Sequence, residues 1–136
     1  MKTFLHTENL TILKQFKDKE WECILTEPNF SYRHPHIQTE TQFIELFNQS
    51  KLLGYLPYIQ VNGYIEELQL DDLKVWLKEC IQLQPKGFYF NDFAVYNHLK
   101  ALNYEGELIY SPETILTNAM DIEVLLELVD RVVLSK

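Results

Sequence analysis

The chain has 136 residues, with 12 Lys plus Arg against 20 Asp plus Glu, a formal net charge of −8, and 46% hydrophobic and 13% aromatic residues. This balance belongs to an ordinary folded domain and argues against disorder, and the acidic excess argues against binding nucleic acid or an anionic membrane through bulk charge. No apolar run approaches the roughly 20 residues that span a bilayer, the N-terminus lacks a signal-peptide stretch, and two cysteines are too few for a disulfide scaffold, so a cytoplasmic setting is expected.

Short strands and amphipathic helices alternate along the chain. Residues 3–6 predict a first strand. Asn9 is a candidate N-cap for a helix that puts Leu10, Leu13 and Phe16 on one face. Residues 21–26 predict a second strand, and residues 27–37, with Pro28, Asn29 and Pro35, a loop. Thr39 and Gln42 have capping-box spacing for a second helix, which carries Phe43, Ile44 and Phe47 and ends at Gly54. Residues 56–61 predict a third strand. Residues 70–83 predict a helix with Leu70, Leu73, Leu77 and Cys80 on one stripe. A strand over 87–90, a helix over 93–102, a strand over 108–110, a helix over 119–128 and a strand over 131–135 follow.

The order βαβαβαβαβαβ with short connections predicts a parallel sheet covered by helices. A doubly wound nucleotide-binding sheet needs a Gly-rich phosphate loop, but Gly54, Gly63, Gly87 and Gly106 never cluster. A complete (β/α)8 barrel needs about 250 residues. The expectation is therefore an α/β, partial TIM-barrel-like domain over 1–136. It would hold about six of the eight strands and form the N-terminal part of a longer protein.

In such folds chemistry sits where the strands end. Past the second strand come Glu27, Phe30, Tyr32, Arg33, His34 and His36. Past the third comes Asn62, past the fourth Asn91 and Asp92, and past the fifth Ser111, Glu113 and Thr114. Arg33, between aromatic neighbours, is a candidate clamp for an anionic group. Asp92 is expected to cap the next helix and to face the pocket as well. Pro112 fixes the loop that carries Glu113. His34 and His36 alternate in an extended segment and point apart, so they do not chelate one ion. His98 falls within a helix, and Cys23 and Cys80 read as core thiols. Glu66, Glu67, Asp71 and Asp72 suit the start of a helix, where carboxylates favour the dipole. No metal site is expected in this chain.

Several of these strand ends carry a resemblance. The run Tyr58-Ile59-Gln60-Val61-Asn62, then Gly87-Phe88-Tyr89-Phe90-Asn91-Asp92, then Tyr110-Ser111-Pro112-Glu113-Thr114, resembles the collagenase-like peptidases, family thirty-two of those of unknown catalytic type. Val132-Val133-Leu134-Ser135-Lys136 is similar to the family's Val-Leu-Ser/Ala-Arg-Glu strand end, and Phe30 to Arg33 to its Phe-x-x-Arg. The family's usual N-terminal turn is replaced by His6-Thr7-Glu8-Asn9, its usual glutamine by Glu113, and its usual arginine by Lys136.

The resemblance implies a peptidase or hydrolase whose pocket is lined by Arg33, Asn62, Asp92, Ser111 and Glu113. It also implies that an iron–sulfur cluster, where members that hydroxylate RNA or quinone hold one, belongs to a longer parent, with no cofactor in this chain. No nucleophile–base pair in the sequence supports proteolysis by these residues alone. The alternatives are a non-catalytic ligand-binding or assembly module, or a fragment of a hydroxylase acting on RNA or quinone. Open first and last strands lead to the expectation of a homodimer formed through exposed edges.

Overall fold

The structure is a computed structural model that describes residues 4–7, 9–32, 39–112 and 119–133. Its strands are β1 (Phe4–His6), β2 (Glu22–Thr26), β3 (Tyr58–Val61), β4 (Gly87–Phe90), β5 (Glu107–Tyr110) and β6 (Arg131–Val132). All are parallel and pair in the order β1-β2-β3-β4-β5-β6. Helices α1 (Leu10–Gln15), α2 (Glu40–Leu52), α3 (Leu70–Gln82), α4 (Phe93–Ala101) and α5 (Ala119–Leu126) connect them. The result is a curled half-barrel, the partial TIM-barrel-like α/β fold that the alternation predicts.

Strand alternation divides the side chains between two faces. Leu25, Ile59, Val61, Phe88, Phe90 and Leu108 point outward and join one core with the helices. The helices answer with Leu13 from α1, Phe43 and Phe47 from α2, Leu73, Trp76 and Leu77 from α3, and Val95 and Leu99 from α4, all buried. Each fully buried Leu or Phe contributes about 1.5–3 kcal/mol of burial. That matters most for α1, whose six residues are too few to be helical alone. Its C-terminal carbonyl at Leu13 also accepts a 2.6 Å hydrogen bond from the buried Tyr55 hydroxyl.

The helix starts follow their sequence signals. Asn9 accepts from Thr11 N at 2.8 Å. Thr39 and Gln42 form the reciprocal capping box. Asp92 accepts from Ala94 N at 2.9 Å. The strand starts are shorter than the apolar runs. β3 begins at Tyr58 because Pro57 has no N–H to give the ladder and Leu56 is 68% exposed. β6 is assigned over two residues, although Val133 N still donates to Tyr110 O at 2.8 Å. Residues 3, 134 and 135 of the expected terminal strands lie outside the described residues.

Ile24, Tyr58, Tyr89 and Ile109 form a separate inner cluster in the curl of the sheet. Below it, at the N-terminal ends of the strands, charged residues meet. Arg131 Nη1 lies 3.3 Å from Glu22 Oε2, and its Nη2 donates to the Tyr58 hydroxyl at 3.0 Å. The Tyr58 hydroxyl also donates to Glu107, and Arg131 Nε lies 3.7 Å from Glu107 Oε1. The Arg131 guanidinium is 5.4 Å from the centre of the Tyr58 ring. These contacts link β6 to β2, β3 and β5 across the lumen and hold the sheet curled. Gly87 makes room for them: a Cβ there would come within 2.5 Å of Glu107 O and 2.9 Å of the Tyr58 ring.

Candidate functional site: the C-terminal mouth of the half-barrel

The opposite end of the lumen carries polar side chains. Alternation puts His6, Thr26 and Gln60 inward at the C-terminal ends of β1, β2 and β3. His6 Nε2 lies 2.7 Å from Thr26 Oγ1, and Thr26 Oγ1 donates to Gln60 Oε1 at 2.9 Å. Tyr89 belongs to the inner cluster and Phe90 to the outer core, so Asn91 returns to the inner side. Phe90 pairs with Tyr110, which brings Ser111 beside Asn91.

Three consecutive βα loops are tied together around this mouth. Glu27 is fully buried at the end of β2, and five donor contacts converge on its carboxylate. They come from Asn29 N at 2.7 Å, Phe30 N at 3.0 and 3.1 Å, Ser31 Oγ at 2.6 Å and Trp76 Nε1 at 2.8 Å. Burial pushes the Glu27 carboxyl above its usual range, and the bonds from Ser31, Asn29, Trp76 and Phe30 pull it back. Its role is to shape the turn after β2.

Asn62 takes the next tie. Its Oδ1 accepts from Tyr32 N at 2.6 Å, and its backbone N donates to Ser31 Oγ at 2.9 Å. Gly63 lies against the same turn: its N donates to Phe30 O at 2.9 Å, and a Cβ there would collide with that carbonyl. The third tie is made by Asn91 and Asp92. Asn91 Nδ2 donates to Asn62 O at 2.7 Å. Asp92 Oδ2 accepts from Ile65 N at 2.7 Å, while its Oδ1 caps α4.

Of the candidate residues read from sequence, Asn62, Asp92 and Ser111 therefore meet at one rim. Asn62 and Asp92 have their side-chain oxygens engaged by backbone N–H groups. Ser111 is half-buried, and its backbone N donates to Phe90 O at 2.7 Å. Arg33 and Glu113, with His34, His36 and Thr114, lie outside the described residues. Tyr32 and Tyr64, on two of the tied loops, are 54% and 55% exposed. They line a small rim cavity of about 90 Å³ with Phe30, Ser31 and Gly63.

Other chemistry-bearing residues sit elsewhere. Cys23 is on the outward face of β2, and burial pushes its thiol up to about 12. Cys80 is buried on α3, and burial raises its thiol as well, with Glu27 the next cause. Among the described residues no group of three or more His, Cys, Asp or Glu is placed to hold a metal, and no helix is long and apolar enough to cross a membrane.

A family model described as Peptidase family U32 matches residues 11–136. The chain belongs to peptidase family U32. No curated protein matches it. In this U32 domain the residues that sequence reasoning passed over are His6, Thr26 and Gln60, because the search began past each strand's end. Strand parity could have found them, since one outward residue fixes the direction of the next. The Glu22–Tyr58–Glu107–Arg131 group was missed for a different reason. Its members lie up to 109 positions apart and meet only because the sheet curls.

Proposed function

We propose that this U32 domain holds an extended peptide segment across the mouth of the half-barrel, as the substrate-holding part of a hydrolase barrel. Cleavage of the peptide bond needs groups beyond those of the described rim. The observation that carries this reading is the pair of exposed tyrosines, Tyr32 and Tyr64, on loops fixed by Glu27, Asn62 and Asp92. Extended proline-rich peptides dock on aromatic-lined grooves because their conformation costs little further entropy to fix. The His6–Thr26–Gln60 row at the same mouth offers hydrogen-bonding groups to backbone amides. Asn62 and Asp92 position the loops, and Ser111, Arg33 and Glu113 contact the ligand.

Proteolysis by these residues alone lacks support. A nucleophile must be paired with a base. The two thiols are buried with raised pKa values, and the carboxylates of Glu27 and Asp92 already accept hydrogen bonds. Incubation of the pure chain with gelatin tests both halves of the reading. Retention of gelatin peptides without new termini in the mass spectrum is expected. Turnover that disappears in Asp92→Ala would overturn the non-catalytic half, and absence of retention would overturn the binding half.

A second reading concerns partners. β1 and β6 end the sheet, and Phe4 and Val133 beside these edges are 44% and 37% exposed. Self-association through these edges follows from that exposure. Sedimentation at about tens of micromolar, a range suited to a modest interface, should give a dimer, and a monomer there refutes it.

A further inference from the structure

Resting on the reading of the mouth as a peptide-holding surface, we infer that the groove between α2 and α3 continues that surface and takes an arginine or lysine side chain of the same peptide. The groove encloses about 460 Å³. The loop after β2, the start of α2 and one side of α3 line it, so it lies just outside the rim. Asn29, Phe30 and Gln69 line both this groove and the rim cavity beside Tyr32 and Tyr64, so the two spaces adjoin. The walls carry Glu40, Asp72 and Glu79, and no Lys or Arg. Glu40 accepts from Asn29 Nδ2 at 2.8 Å, and among the described residues no cation pairs with any of the three carboxylates.

Glu40 and Asp72 stand in first helical turns, where the dipole favours them, but Glu79 lies well inside α3 and gains nothing from it. The uncompensated charge is felt inside the fold: the Cys80 thiol is raised first by burial and then by Glu27, Glu79 and Glu40. Between the carboxylates the groove is apolar. Phe30 is half-buried, and Trp76 is fixed by its Nε1 bond to Glu27 at 2.8 Å. Val75 is 62% exposed and shares one face of α3 with Asp72 and Glu79, at spacings of three and four. A long basic side chain complements this layout. Its methylenes pack on Phe30 and Val75 while the charged head reaches the carboxylates. A cation beside the Phe30 ring gains further. A second copy of this chain is a poor occupant, because it brings its own net charge of −8.

Two blocked peptides separate the charge from the shape: acetyl-Arg-Pro-Pro-Pro-Arg-amide, and the same peptide with neutral citrulline in place of both arginines. An arginine at each end makes the direction of binding immaterial. Each is titrated into the ¹⁵N-labelled chain. The arginine peptide should shift Tyr32 and Tyr64 together with residues 72, 75 and 79 and the Trp76 indole, while the Trp21 indole, at the opposite end of the strands, stays still. The citrulline peptide should shift Tyr32 and Tyr64 alone and bind about tenfold more weakly, the scale of one charge-assisted hydrogen bond. Raising NaCl from about 0.05 to about 0.5 M, which shortens the Debye length about threefold, should erase most of that difference. Asp72→Asn combined with Glu79→Gln, both on the exposed side of α3, should lower the arginine peptide to the citrulline affinity at an unchanged thermal midpoint. Equal affinity of the two peptides for the unaltered chain overturns the basic subsite and leaves peptide holding in place. Shifts in the groove without shifts at Tyr32 and Tyr64 overturn its continuity with the mouth. Absence of shifts with both peptides overturns the subsite, and gelatin retention then decides the peptide-holding reading separately.

Discussion

Replacing Arg131 by methionine should open the floor of the half-barrel. The substitution keeps an unbranched stem and removes the guanidinium, which lies 3.3 Å from Glu22, 3.7 Å from Glu107 and 3.0 Å from the Tyr58 hydroxyl. The Glu22 side chain is 10% exposed, so its carboxylate would lose the guanidinium with little water to replace it. Its contacts to the hydroxyls of Tyr58 at 3.3 Å and Tyr89 at 3.5 Å are long. Removing one partner of a buried ion pair costs about 3–5 kcal/mol. Arg131 and Glu107 are 27% and 33% exposed, so water recovers part of this. The expected loss is about 2–3 kcal/mol, or a fall in Tm of about 6–12 °C for a domain of this size. Urea unfolding followed by circular dichroism measures it. Adding Glu22→Gln to Arg131→Met removes the carboxylate charge that faced the guanidinium and should recover roughly half of the loss. A single-variant loss below about 0.5 kcal/mol, in the range of an exposed ion pair, would refute the reasoning. So would a double variant no more stable than the single one.

Four further outcomes follow from the same structure. Glu27→Gln puts an NH₂ group among donors from Asn29, Phe30, Ser31 and Trp76, and should cost about 2–3 kcal/mol in urea unfolding; a neutral result would show that the turn does not depend on that carboxylate. The Cys23 thiol is raised from 9.0 to about 12 in the folded chain. The unfolded thiol ionises first, so its contribution is whole below pH 9 and declines as the pH climbs towards 12. The slope is about 1.4 kcal/mol per pH unit, and Cys23→Ala should flatten it. Iodoacetamide at pH 8 should label neither cysteine before urea is added, and labelling of the folded chain would contradict their burial. Gln84, at φ 61, holds a left-handed conformation after α3, so Gln84→Gly should stabilise by about 1 kcal/mol in thermal unfolding, whereas a loss would mean that its side chain has a role in the fold.

The architecture was legible because parallel strands covered by helices write long, regular patterns. Asn9, Thr39 with Gln42, and Asp92 start helices where their side chains can cap, and Gly87 to Phe90 is one uninterrupted buried run. The faces of the strands were less legible. Both sides of β4 are buried, so apolar–polar alternation disappears and nothing in Phe88, Tyr89 and Phe90 alone says which ring enters the lumen. The candidate site was legible as a place rather than as a set of roles. Asn62 and Asp92 do reach the rim, but their hydrogen bonds tie loops whose partners lie about 30 positions away. Glu27 reads from sequence as another rim acid and is in fact the centre of a turn, a distinction that depends on Trp76, 49 residues later.

The claim that the C-terminal mouth is where this U32 domain holds its ligand is tested most directly by a chemical-shift map. Gelatin peptides are titrated into the ¹⁵N-labelled chain. Saturable shifts concentrated in residues 31–32, 60–65, 91–92 and 111 are predicted, with Glu22, Tyr58, Glu107 and Arg131 at the other end of the lumen unmoved. Shifts centred on that charged floor or on the outer helices, or a spectrum unchanged by the peptides, would contradict the account.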